Sequence, residues 1–181
     1  MANTAATSPG TMADDATVGN VAWSNPDNAK IEDGTFTVSA NYLSTGGSEI
    51  NDYAVRIVKD GSIGSTDKSI SGNWSTTNSY ASYGSSSDLW GETWSPADIN
   101  GSTFGFVISG APAGSGTRTH YLKATNFGFS IPSGATINGI KVDVKKKTTS
   151  TVEDEIYAYV DHIRITIYYT EVISPLPSFN R

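Results

Sequence analysis

The chain has 181 residues, no cysteine and a formal net charge of -6, which sets aside a disulfide framework, thiolate metal centres and the basic stripes that wrap nucleic acid. Hydrophobic content of 37%, charged content of 17% and aromatic content of 10% describe short strands joined by polar loops rather than a disordered chain. No apolar run has membrane-spanning length.

Residues Met1 to Asn20 are small and polar, without periodicity and without the basic and apolar regions of a secretory signal, so synthesis in a cytoplasm is expected. Ordering such a segment costs about 1–2 kcal/mol of backbone entropy per residue, which its own polar side chains do not offset. It therefore reads as an N-terminal arm gripped by neighbouring subunits, with Met12 and Val18 as apolar contacts.

Val21 to Ser24 opens the first strand, and Asn25-Pro26-Asp27-Asn28 has turn chemistry. In the next strand, Thr35 to Tyr42, Phe36 and Val38 share a face; Tyr53, Val55 and Ile57 share one in the strand after it. Lys59-Asp60-Gly61-Ser62 predicts a hairpin returning from Ile63 towards Ile70. Ser71 to Ser87 reads as a long polar loop carrying Trp74, Tyr80 and Tyr83. Ser95 followed by Pro96 predicts a capped helical turn, leading to a strand that turns Phe104, Phe106 and Ile108 to the core.

Phe127, Phe129 and Ile131 alternate with polar residues, as do Ile140, Val142 and Val144 after Pro132-Ser133-Gly134. Strict period-2 patterning on both sides of a turn predicts two half-buried antiparallel strands. Lys145, Lys146 and Lys147 read as the solvated end of the second. Ile156, Ala158 and Val160, then Ile163, Ile165, Ile167 and Tyr169, predict interior strands with Asp161 at a kink or bulge between them. The last segment, Glu171 to Arg181, carries two prolines and the anchors Val172, Ile173, Leu176 and Phe179, and reads as a C-terminal arm. The expectation is an all-β antiparallel sandwich, jelly-roll-like, over residues 21–170, flanked by arms at 1–20 and 171–181.

The segments DLWGETWSPADINGSTFGFVIS (Asp88 to Ser109), ATNFGFSIPSGATINGIKVDV (Ala124 to Val144) and VDHIRITIYYT (Val160 to Thr170) resemble β-sandwich proteins widespread in tailed-phage genomes. The stretch from Ile131 to Val144 is also similar to jelly-roll carbohydrate-binding modules. The first resemblance implies a capsid decoration or accessory subunit in a virion, docked on a major capsid or tail protein and on copies of itself. The second implies the alternative, a glycan-binding or adhesion module, with Trp74, Tyr80 and Tyr83 as stacking rings.

Chemistry has weak support in the sequence. His120 and His162 have no G-x-S-x-G elbow to serve, and on a regular strand Asp161 points away from its neighbour His162. No catalytic residue and no enzymatic activity is expected. Asp27, Asn28, Glu32 and Asp33 cluster oxygen donors that could hold a structural calcium ion, although turns use the same residue types. No other cofactor, no nucleic acid and no membrane enters the expectation.

Overall fold

In a computed structural model, which describes residues 1–41, 43, 49–112, 114–149 and 155–172, the alternating segments form two antiparallel sheets. In chain order the first strands are β1 (Ala2–Asn3), β2 (Thr11–Asp15), β3 (Trp23–Ser24), β4 (Thr37–Ser39), β5 (Ile50–Lys59) and β6 (Ser62–Ile63). They are followed by β7 (Ser79–Gly84), β8 (Gly105–Pro112), β9 (Tyr121–Thr125), β10 (Thr136–Thr148) and β11 (Ala158–Thr170). One sheet runs β3-β4-β11-β10-β7, with β1 also on β11, and the other runs β2-β9-β8-β5-β6. The fold is an all-β antiparallel sandwich.

The core lies between the sheets. Ile140, Val142 and Val144 of β10 and Ile163, Ile165 and Ile167 of β11 face Val55 and Ile57 of β5, Phe106 and Ile108 of β8, and Leu122 of β9. Each such side chain, fully buried, contributes about 1.5–3 kcal/mol. Trp90 is completely buried, its Nε1–H donating to the Ile140 carbonyl at 3.0 Å, and its ring meets Phe106 edge-on. Gly84 ends β7 at φ 71°, where a Cβ would lie 2.6 Å from that same Trp90 Nε1. A side chain there would push the indole out of its seat.

The local chemistry read from the sequence recurs at three places. Asp60 and Gly61, both at positive φ, make the two-residue turn of the β5–β6 hairpin. Ser95 caps helix α1 (Pro96–Asn100) in a reciprocal box with Asp98. Asp161 is the unpaired residue of a bulge, since Lys145 pairs with His162 and Lys146 with Val160.

Four expectations are corrected. The N-terminal segment is not a free arm: β1 pairs with β11, β2 with β9, and Thr7 and Ile165 exchange backbone hydrogen bonds at 2.9 Å. It straps both sheets of its own chain, and those ladder bonds offset the ordering cost assigned above to neighbours. Met12 is buried in the core and Val18 packs on the outer cluster formed with Val107 and Tyr121, so both serve the fold. Of the C-terminal segment, Glu171 and Val172 are described; Ile173, Leu176 and Phe179 lie outside the described residues.

Phe127 to Ile131 alternates inside and outside but forms no strand, because Asn126 and Gly128 adopt positive φ. The chain there crosses from β9 in one sheet to β10 in the other, so the expected hairpin is an inter-sheet connection. Within the expected loop, Ser79–Gly84 pairs with β10 as an edge strand. Finally, a register shift between Asp52 and Ala54 leaves Tyr53 outside, 40% exposed, and turns Asp52 inward.

Candidate functional site

That bulge in β5 creates a buried polar group between the sheets. Asp52 of one sheet meets Lys146 of the other, and their side chains are 3% and 7% exposed. Lys146 stands at the same parity as Ile140, Val142 and Val144, so β10 aims it between the sheets. Its Nζ contacts Asp52 Oδ1 directly and lies 2.6 Å from the Tyr83 hydroxyl. Tyr83 donates to Asp52 Oδ2 at 2.8 Å, and Trp74 Nε1–H donates to Oδ1 at 2.8 Å. The Ile70 N–H also reaches Oδ2, at 3.1 Å. The Lys146 ammonium sits 4.3 Å from the Trp74 ring centre, within cation–π range.

Burial works hard on this group. Desolvation lowers the Lys146 pKa against the pull of Asp52, and desolvation with the adjacent Asp52 charge raises that of Tyr83 far beyond its usual range. A cleft of about 210 Å³ borders the cluster, walled by Ile70, Asn73, Trp74, Ser79 and Ala81 as well as Asp52 and Lys146.

A second network covers the outer face of β7, β10 and β11. Glu32 accepts from Lys145 at 2.7 Å and from Tyr80 at 2.6 Å, and those two bonds hold its carboxyl down at about 2. Tyr80 spends its single proton on Glu32, so its oxygen accepts Nδ1–H of His162 at 3.0 Å. His162 Nε2 is then bare and accepts the Ser8 hydroxyl at 2.8 Å. Desolvation, with the nearby Arg164 charge, lowers the His162 pKa, which keeps the ring neutral. Asp161, fully buried, accepts from Gly34 N–H at 3.1 Å and Asn78 Nδ2 at 2.7 Å, and pairs with Lys145 at 3.3 Å.

Sequence reasoning missed this assembly. The bulge brings Asp161 into the same network as His162, against the regular-strand expectation, and Ser8 arrives from a segment taken for an arm. A serine on a bare imidazole nitrogen is the start of a nucleophilic site. Of the backbone N–H groups beside it, Pro9 has none, and those of Thr7 and Gly10 bind the Ile165 and Asn126 carbonyls. Here Ser8 fastens the N-terminal strap to β11.

The other expected sites come apart. Trp74 and Tyr83, 5% and 2% exposed, face the core and offer no open ring to a sugar; Tyr80 stands under Arg164, 4.2 Å from its ring centre. The calcium candidates have separate duties. Asp27 pairs with Lys30, Asn28 donates to the Phe36 carbonyl, Asp33 accepts from Thr35, and Glu32 belongs to the outer network. Among the described residues, no three His, Asp or Glu side chains converge on a metal position. The Lys145–Lys147 run is not simply solvated, since Lys146 is buried. His120, the residue before β9, bonds Asp14 of β2 at 2.8 Å and ties the chain there to the strap.

Comparison with protein-family models, curated proteins and solved structures returned no match.

Proposed function

We propose that the chain is a structural subunit of a tailed-phage particle, a capsid decoration or accessory protein that acts by docking rather than by catalysis. The reading is supported by the sequence resemblance to phage β-sandwich proteins and by the way polarity is used. Among the described residues, the carboxylates, bases and hydroxyls of the two networks are engaged with one another. Its docking element is the pole where β1 and the end of β11 meet.

One observation carries that choice of pole. Met1 and Val172, 77% and 70% exposed, are the most exposed large hydrophobic side chains among the described residues. Met1 borders a cleft of about 330 Å³ completed by Ala2, Thr170 and Glu171. Docking at this pole would remove both side chains from water. Repetition across a particle lattice turns a weak contact of this kind into firm attachment.

The test is quantitative mass spectrometry of gradient-purified particles from cultures producing this chain. The reading expects the protein in the particle fraction at a stoichiometric level, reduced at least about tenfold by Val172→Asp, an effect of about 1.4 kcal/mol or more. A protein absent from particles and monomeric in solution overturns it.

A further inference from the structure

We propose that Lys146 and Asp52 become joined by an amide bond, a self-made covalent cross-link between the two sheets. The geometry already holds the reactants together: Nζ touches the Asp52 carboxyl, and the two strands that carry them, β10 and β5, belong to opposite sheets. Such enforced proximity replaces a bimolecular encounter by an effectively unimolecular one. The inference does not depend on a role in a particle.

The step balances without any co-reactant. Between the sheets, where charge separation is poorly solvated, Lys146 Nζ gives a proton to the Tyr83 hydroxyl as that hydroxyl gives its own to Asp52 Oδ2, leaving a neutral amine against a neutral carboxylic acid. The Nζ lone pair adds to Asp52 Cγ, forming the C–N bond while the carbonyl pair moves onto Oδ1. Trp74 Nε1–H, 2.8 Å from Oδ1, is placed to hold that developing negative charge.

Tyr83 completes the transfer. Its hydroxyl lies 2.6 Å from Nζ and 2.8 Å from Oδ2. It takes one proton from the nitrogen and gives its own to the Oδ2 hydroxyl, which leaves as water while the pair on Oδ1 restores the carbonyl. The products are one amide and one water. The cleft along Trp74 and Ser79 borders Asp52 and offers that water an exit.

Trp74 and Tyr83 thus have a use that neither sugar stacking nor plain core filling requires. Each points its polar atom at the carboxyl of Asp52 from within a wall of aromatic carbon. A packing role alone would be met by Phe at position 83.

The experiment is the intact mass of the folded, purified full chain, followed by tryptic mapping. The expected result is a mass one water below that of the sequence. A branched peptide should join Ile31–Arg56 to Lys146–Lys147, because an acylated Lys146 is not cleaved. Lys146→Arg, which keeps a cation for Asp52 but lacks the amine, should show the full sequence mass. Tyr83→Phe should form the link at least about tenfold more slowly, read as a mixture of both masses in freshly folded protein.

Full mass in the native chain, with cleavage after Lys146 and no branched peptide, overturns the proposal. So does a water loss that persists in Lys146→Arg, which would place it elsewhere, as at Asp33-Gly34 or Asp60-Gly61.

Discussion

The inter-sheet cluster and the outer-face network are built from nearly the same parts. Each has a carboxylate, a tyrosine that donates to it and a basic group, Lys146 in one and His162 in the other. What differs is solvent. Asp52 and Lys146 are almost wholly removed from water, whereas the Glu32 side chain is 40% exposed. Charge in the first cluster must be neutralised by its neighbours, so the groups press on one another. In the second, water shares the work and the contacts fasten segments together.

The contrast can be broken most sharply at Asp52. Asp52→Ala strands the Lys146 ammonium between the sheets and is expected to cost about 3–5 kcal/mol, measured by urea unfolding. A loss below about 1 kcal/mol would mean that Lys146 leaves the core at little cost, and the distinction between the regions would collapse.

Asp161 lies between the two regimes, buried yet part of the outer network. Its replacement by Ala removes the acceptor for Gly34 N–H and Asn78 Nδ2, for an expected loss of about 1–3 kcal/mol. Asp161→Asn, which retains an acceptor for Gly34, should lose less in the same unfolding assay.

On the exposed side the effects shrink. Ser8→Ala deletes one hydrogen bond to His162 and should cost about 0.5–1.5 kcal/mol. Because that bond fastens the strap, hydrogen exchange at Thr4 and Thr7 should rise in the variant before the rest of β11 responds.

The smallest effect is a pH slope. His162 has a folded pKa below the ordinary 6.5. Between those values the unfolded chain binds more protons, so stability rises with pH. The contribution is complete above 6.5 and is lost as pH falls through the lowered folded value. His162→Asn should flatten that slope in denaturation curves taken across the acid range. An unchanged slope would assign it to other groups.

Much of this architecture was legible in residue order, for reasons that differ from element to element. Alternation in β10 and β11 placed Ile140, Val142, Val144, Ile163, Ile165 and Ile167 on the inner face, because parity is a property of any pleated strand. It equally placed Lys146 there, and that signal was outweighed by the two flanking lysines. The Asp60-Gly61 turn and the Ser95 cap were readable because their chemistry is local.

Several features lay beyond such reading. The strap of residues 1–20 carries little apolar patterning, since β1 and β2 lie at sheet edges and the segment buries chiefly Pro9 and Met12. Trp74 and Tyr83 could be stacking rings or core, and residue identity does not distinguish the two. The bulge at Tyr53 changes parity by one residue and leaves no mark that separates Asp52 from any solvent-facing aspartate.

Composition and period-2 patterning by themselves determined an all-β sandwich and its principal strands, and local residue chemistry determined its tight turn and its helical cap. Tertiary structure alone decided that Asp52 meets Lys146 and that Ser8 meets His162. Those partners lie 94 and 154 residues apart along the chain. Pattern acts over a few residues, whereas these contacts depend on how two sheets stack and where a strand slips register.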